Sequence, residues 1–134
     1  MTRSTLLVAL LAAYAAVFLP GAVRTFGRAG FDPLQPRPRA VEELIVAKRF
    51  ADALPLATEL RAAFPDEPLA AYWLARINGG LQRPQPEADA WDAYVALSKA
   101  PAEACPAWPR ALSAANLPDR ARAATERCAA FLSR

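Results

Sequence analysis

The residue types that usually do chemistry are scarce in this sequence. Histidine is absent from all 134 residues, which removes the usual general base and the commonest metal ligand. The two cysteines, Cys105 and Cys128, are too few for a four-ligand zinc site and lack the C-x-x-C spacing of a redox motif. The pair Glu42-Glu43 has the pattern of an acidic first helical turn, where the helix dipole stabilises carboxylates. The sequence therefore predicts no metal site and no cofactor.

Two further sequence patterns, one acidic and one glycine-rich, do not indicate a functional site. Asp89 and Asp92 flank Trp91, and we expect both carboxylates on the solvated face of a helix. Gly79-Gly80 lacks the following Lys-Ser/Thr of a phosphate-binding loop. With no catalytic constellation in the sequence, we predict that the protein is not an enzyme.

The basic charge is concentrated near the N-terminus. Residues 1–39 contain five arginines and one aspartate, whereas residues 40–134 contain 11 basic and 12 acidic side chains. A nucleic-acid-binding domain would need a basic stripe, so we expect no nucleic-acid partner. Lipid headgroups are better counterions for arginines that flank a hydrophobic segment.

That hydrophobic segment runs from Ser4 to Val23 without a charged residue. About 20 residues of helix span roughly 30 Å, the thickness of a bilayer core. The alternative is a cleaved signal peptide, but Pro20 and Val23 fit its cleavage pattern poorly. We predict an uncleaved transmembrane signal-anchor helix over residues 1–23.

A Pro/Arg-rich segment over residues 24–39 follows the predicted anchor. Proline at every second or third position disfavours helix, so we predict an extended linker. It is either a stalk or a strap along a partner that Phe26 and Phe31 would contact. Within the anchor, Ala12 and Ala16 lie on a small-residue face suited to packing against other transmembrane helices.

Residues 40–134 form the predicted helical domain, in which one pattern recurs. Ala53, Ala57 and Leu60 share a helical face, and their spacing returns twice. The later occurrences are Ala90, Tyr94, Leu97 and Ala124, Cys128, Phe131. Their offsets are 37 and 34 residues, which predicts an insertion of about three residues at 82–86 before Glu87 resumes the helix.

The pattern resembles the tetratricopeptide repeat (TPR) family, whose helix–turn–helix unit has about 34 residues. Phe50 and Ala53 open a second helix, and Leu74-Ala75 match the large–small pair of a first helix that Gly79-Gly80 should end. The resemblance spans about residues 38–134. It implies an all-α fold, with a single N-terminal transmembrane helix and a short TPR-like solenoid of about three helical hairpins.

The resemblance also implies where partners bind and which residues fill the core. In the family, the first helix of each unit lines a concave, protein-binding side. The matching positions here are Glu42, Ile45, Val46, Tyr72, Arg76, Ser113 and Asn116. The third unit should have helices that start near Trp108 or Pro109 and at Pro118. The aromatic and leucine side chains expected in the core are Tyr72, Trp73, Leu74, Trp91, Tyr94 and Leu97.

A helical hairpin in the third unit would place Cys105 before its first helix and Cys128 within its second. Antiparallel helices can bring two such side chains together, and a disulfide there would contribute about 3 kcal/mol. The alternative is that both are buried thiols.

The charges and the cysteines disagree about which side of the membrane the domain occupies. The arginines after the anchor favour the cytoplasm by the positive-inside rule, whereas a disulfide favours an oxidising compartment. We give more weight to the cysteines and expect a periplasmic domain on a bacterial inner membrane.

The expected function is that of a non-catalytic accessory or assembly subunit of a membrane protein complex, in contact with protein subunits and the lipid bilayer. The alternatives are a membrane-anchored chaperone that binds client peptides reversibly and a cytoplasmic regulator.

Overall fold

The computed structural model describes residues 36–134, which form six α-helices and one 3-10 helix, with no strand in this range. The predicted anchor (residues 1–23) and most of the predicted linker lie outside the described residues. The all-α prediction is confirmed for the part described. The α-helices are α1 Pro36–Val46, α2 Phe50–Ala63, α3 Pro68–Gly80, α4 Pro84–Leu97, α5 Trp108–Ala114 and α6 Pro118–Leu132, and the 3-10 helix is Pro101–Ala104.

Prolines occupy the first turns of several helices. Helix α1 contains Pro36 and Pro38, and α4 contains Pro84 and Pro86. The first N–H groups of a helix have no intrahelical partner, so proline loses nothing at these positions. The extended conformation predicted for residues 24–39 is therefore wrong for residues 36–39. The prediction that Glu87 resumes the helix is also wrong, since α4 starts at Pro84.

Three turns between helices share one geometry. Lys48, Gln82 and Asn116 have φ angles of 57°, 55° and 60°, in the left-handed region. In each turn the N–H of this residue donates to the carbonyl three positions earlier, and the next N–H donates to the carbonyl five positions before it. This pair of bonds is the Schellman motif, which satisfies the last carbonyls of a helix.

The spacing of these turns corrects the predicted repeat length. The left-handed residues lie at positions 48, 82 and 116, and the following helices start at Phe50, Pro84 and Pro118, all 34 residues apart. The predicted offset of 37, with an insertion at 82–86, is therefore wrong. An error of three residues is close to one helical turn, so it superimposes one apolar helix face on nearly the same face of the next unit.

Gly79 and Gly80 end α3 as predicted, but Gly80 has a different role from that of a left-handed cap. The left-handed residue is Gln82, and both glycines have ordinary φ angles. A Cβ atom at Gly80 would overlap the ring of Phe50, whereas one at Gly79 would lie 3.0 Å from the carboxylate Oε1 of Glu87, which accepts a hydrogen bond from the indole of Trp91. Gly80 therefore lets the ring at the start of α2 pack against the end of α3.

Each helix packs against the next along the chain, and α1 also contacts α3. Trp73, Trp91 and Tyr94 are buried, as predicted. Tyr72 is half-buried, with its ring centroid 5.7 Å from that of Trp91 and 5.6 Å from that of Tyr94. Leu74 and Leu97 are also half-buried. The aromatic residues therefore join α3 to α4.

The last hairpin departs from the pattern of the others. Helices α5 and α6 begin at Trp108 and Pro118, as predicted. The residue 34 positions after Pro68, where α3 begins, is Ala102, but that segment forms the 3-10 helix and α5 starts later. Helix α5 therefore has seven residues, compared with 13 in α3.

Candidate functional site

An open groove of about 370 Å³ lies between α4, α5 and α6. We call it the α4–α6 groove. Its lining residues are Asp92, Val95 and Ala96 of α4, Trp108 and Leu112 of α5, and Arg120, Ala123, Ala124 and Arg127 of α6. The four residues from α6 have the i, i+3, i+4, i+7 spacing that places side chains on one helix face. The two arginines thus flank two alanines, which keep the groove open.

Asp92 joins the three helices of the groove. Its Oδ1 accepts a hydrogen bond of 2.8 Å from the indole Nε1 of Trp108, and its Oδ2 accepts one from the guanidinium of Arg120. Trp108 is buried and Asp92 is half-buried. A buried indole N–H needs a partner, and a carboxylate shared with an arginine is a strong one. This corrects the expectation that Asp92 lies on a solvated face, which holds for Asp89 alone.

Arg127 lies against the aromatic rings of Trp108 and Phe131. Its guanidinium carbon is 5.2 Å from the ring centroid of Trp108 and 5.7 Å from that of Phe131. Both distances allow cation–π attraction. Arg127 has no carboxylate partner among the described residues. The groove therefore contains one arginine paired with an acid and one whose charge is balanced by no described side chain.

A disulfide and a hydrogen bond connect α6 and α4 to the segment around the 3-10 helix. The structure pairs Cys105 with Cys128 in the predicted disulfide, with Cα atoms 5.6 Å apart. Cys128 directly follows Arg127 in the chain. The hydroxyl of Tyr94 in α4 donates a 2.8 Å hydrogen bond to Glu103 in the 3-10 helix. The disulfide and this bond connect both α6 and α4 to the same short segment.

The described range offers few other sites. It contains no group of three or more acidic or cysteine side chains arranged to hold a metal ion.

Burial raises the pKa of Tyr94. The hydrogen bond to Glu103 and the negative charge of Glu103 raise this pKa further, whereas a hydrogen bond with Ser98 lowers it. No helix between residues 36 and 134 is both long and apolar enough to cross a membrane.

None of the seven residues predicted to bind a partner lines the α4–α6 groove. On α1, Glu42 and Val46 are exposed and line a separate open cavity of about 400 Å³, together with Arg39, Glu43 and Ala47. Ile45 is 6% exposed, so it packs in the core and does not share the exposed surface of its two neighbours in the prediction. Glu42 and Val46 are four residues apart and share one face of α1, whereas Ile45 lies about 100° around the helix from Val46.

The remaining predicted partner-binding residues lie on three other parts of the chain. Tyr72 packs among the aromatics, and its hydroxyl accepts a 3.2 Å hydrogen bond from exposed Arg76. Ser113 is exposed on α5, and Asn116 supplies the left-handed residue of a turn. The predicted membrane or linker contacts Ala12, Ala16, Phe26 and Phe31 lie outside the described residues.

The residues that form the groove were not identified from the sequence. Arg120 and Arg127 have heptad spacing around Ala123 and Ala124, a signal of a basic face with room beside it. The other half of the site had no local signal, because Asp92 lies 16 residues from Trp108 and 28 from Arg120.

Comparison with known proteins does not assign the site to a family. The chain matches no protein-family model, and no curated protein or solved structure is significantly similar to it. The geometry of the described residues is therefore the basis for a proposed function.

Proposed function

We propose that this protein is a non-catalytic, membrane-anchored interaction module that serves as an accessory or assembly subunit of a bacterial inner-membrane complex. The observation that carries the proposal is the α4–α6 groove, which presents Arg127 on a buried tryptophan at an open surface. Arginine and tryptophan are the residue types that most often dominate protein–protein interfaces.

The arrangement of the helices supports a repeat protein of the TPR kind. Turns of one geometry recur every 34 residues, which is the length of a TPR unit. Short helical repeats stack into arrays whose surfaces bind other proteins. We therefore assign residues 36–134 to three TPR-like hairpins, with the third altered at its first helix.

The membrane part of the proposal rests on the sequence of residues 1–23. An uncharged run of about 20 residues is long enough to span a bilayer, and arginines follow it. The disulfide supports a periplasmic location for the domain, because such bonds persist in oxidising compartments.

Purification of the full chain from its native membrane tests the proposal. A tagged chain at native expression, solubilised in mild detergent, should co-purify with partner subunits at a fixed stoichiometry. A variant in which residues 4–23 are replaced by a cleavable signal peptide should lose or weaken that recovery while its domain stays folded. Recovery of the monomer alone from native membranes would contradict the proposal. Substoichiometric partners that exchange with added lysate would instead indicate a chaperone.

Thiol labelling tests the location of the domain. A membrane-impermeant maleimide added to intact spheroplasts should label Cys105 and Cys128 only after reduction. Labelling that requires lysis of the spheroplasts would place the domain in the cytoplasm. Labelling without reduction would exclude the disulfide.

A further inference from the structure

We propose that the α4–α6 groove binds a partner segment in which an acidic side chain lies next to an apolar one. This inference rests on the proposed function of the chain as an interaction module. It names the chemistry that the groove recognises.

Arg127 supplies the site for the acid. Its guanidinium carbon lies 5.2 Å from the ring centroid of Trp108 and 5.7 Å from that of Phe131, so cation–π attraction holds the group at this position. Its N–H groups donate no hydrogen bond to any described residue, and their fork matches the two oxygens of a carboxylate. No described carboxylate takes this position. An acidic side chain from a partner would complete it.

The support beneath Arg127 is already ordered. Asp92 holds the indole of Trp108 by the 2.8 Å hydrogen bond, and Arg120 is bound to the same carboxylate. The charge of Arg120 is therefore balanced within the groove, which leaves the charge of Arg127 to attract an anion. A fixed support lowers the entropy lost when a ligand binds.

The remaining surface of the groove suits an apolar side chain. Its lining includes the apolar residues Val95, Leu112 and Ala124, which are 7%, 1% and 2% exposed. A volume of about 370 Å³ lies at the low end of the range for ligand sites. It is large enough for one or two side chains, and Ala96 and Ala123 leave its mouth open.

A peptide fits this charge pattern better than a lipid surface does. Helix α6 contains three arginines, but Arg120 is paired with Asp92, and Arg122 is paired with Asp119 at 3.2 Å. Binding to anionic lipid headgroups uses clusters of basic residues. A single unpaired guanidinium beside an apolar surface matches one carboxylate and one neighbouring side chain.

Selection from random peptides tests the inference without a known partner. The full chain in nanodiscs is used to select phage-displayed random octapeptides, with empty nanodiscs for counter-selection. We expect enrichment of peptides that carry Asp or Glu next to Leu, Ile, Val or Phe. The synthetic consensus peptide should bind at least tenfold more weakly to Arg127→Gln than to the unchanged chain, with Arg127→Lys between them.

A second pair of variants separates groove binding from folding. Ala123→Trp fills the groove from an exposed position, whereas Ala129→Trp adds the same bulk to an exposed position that does not line it. The first should reduce peptide affinity about tenfold or more and the second less than twofold, with equal helicity by circular dichroism. No enrichment, enrichment without acidic residues, or equal binding by Arg127→Gln would each overturn the inference.

Two further measurements distinguish a lipid site and a failure of the broader proposal. Short-chain phosphatidylglycerol should not displace the peptide, and Arg127-dependent displacement would assign the site to a lipid headgroup instead. In native membranes, unchanged recovery of a stoichiometric partner by Arg127→Gln would reject this inference and leave the proposed function standing. Absence of any partner with the unchanged chain would reject the proposed function itself.

Discussion

The carboxylate of Asp92 accepts a hydrogen bond from the indole nitrogen of Trp108 at 2.8 Å, although 16 residues separate them. This bond joins α4 to the start of α5, and the guanidinium of Arg120 brings α6 to the same acid. One side chain thus connects three helices of the groove. Loss of the Asp92 carboxylate should therefore lower the free energy of unfolding more than loss of a single hydrogen bond on a helix surface does.

Asp92→Ala should lower the free energy of unfolding by about 1–3 kcal/mol, because it leaves the buried Trp108 N–H and Arg120 without their acceptor. Urea denaturation followed by circular dichroism measures the change. Asp89→Ala is the matched control on the same helix. Asp89 is exposed and only accepts a bond from Gln85, so its loss should change stability by less than about 0.5 kcal/mol. Equal effects of the two substitutions would contradict the role of Asp92.

The two neighbouring glycines should respond unequally to alanine. Gly79→Ala should change stability by less than about 1 kcal/mol, because the helix propensity gained by alanine offsets a small shift of the Glu87 carboxylate, whose Oε1 accepts a hydrogen bond from the indole of Trp91. Gly80→Ala should destabilise by about 1–3 kcal/mol, since the new methyl group overlaps the Phe50 ring. Thermal unfolding compares the two variants. In the Phe50→Leu background the cost of Gly80→Ala should fall, and an unchanged cost would rule out the ring contact as its cause.

The three left-handed turn residues should benefit unequally from glycine. Lys48 and Gln82 have side chains that disfavour positive φ, so Lys48→Gly and Gln82→Gly should each raise the free energy of unfolding by up to about 1 kcal/mol. Asn116→Gly should gain less, because asparagine tolerates this conformation. Denaturation midpoints provide the measurement. Ala47→Gly, beside Lys48, is the control and should not stabilise, and a uniform gain at all four positions would argue against relief of backbone strain.

Reduction of the Cys105–Cys128 disulfide should lower the free energy of unfolding by about 3 kcal/mol, because the bridge closes a loop with a sequence separation of 23. Urea denaturation with and without reductant measures the difference. The double variant Cys105→Ser, Cys128→Ser should resemble the reduced protein and be insensitive to reductant. A variant as stable as the oxidised protein would show that the bridge contributes nothing.

Stability should fall as the pH rises above 10, and Tyr94 should account for part of the loss. Burial raises the pKa of Tyr94 above its usual value of 10.0, so the unfolded chain loses this proton at lower pH than the folded protein. The stabilisation is fully present below pH 10 and disappears as the pH rises through the folded pKa.

Tyr94→Phe isolates this contribution from other alkaline titrations. At pH 8 it should cost about 1 kcal/mol through loss of the 2.8 Å bond to Glu103. Between pH 10 and 11 the difference from the unchanged protein should shrink, as measured by urea denaturation at each pH. A difference that is constant or grows with pH would contradict the shift.

The helices could be predicted from local signals, but their register could not. The helix starts near Trp108 or Pro109 and at Pro118 were predicted correctly, because proline favours the first turn of a helix. The repeat offset was wrong by three residues because apolar helix faces nearly repeat each turn. The positive φ angle of Gln82 fixes the register of the repeat. Glutamine is not a residue type that indicates a left-handed conformation, so the sequence does not predict this turn.

The groove was harder to predict because it depends on contacts between distant residues. The sequence of α4 predicts a solvated position for Asp92, as it does for Asp89 on the same helix. Its partners come from α5 and α6, so their identity follows from the packing of the hairpins. Ile45 is likewise buried at a position where the family pattern predicts a partner contact, because a family position specifies a helix face only approximately.

The recurrence of the left-handed turns every 34 residues has a consequence for extending the molecule. The segment 48–81 begins at one such turn and ends just before the next, so its two ends are geometrically equivalent. A tandem duplication of this segment would add one hairpin without requiring a new connection. The elongated chain should gain helical signal in proportion to its added length. The duplicated segment precedes α4, so the α4–α6 groove and the disulfide should be unchanged.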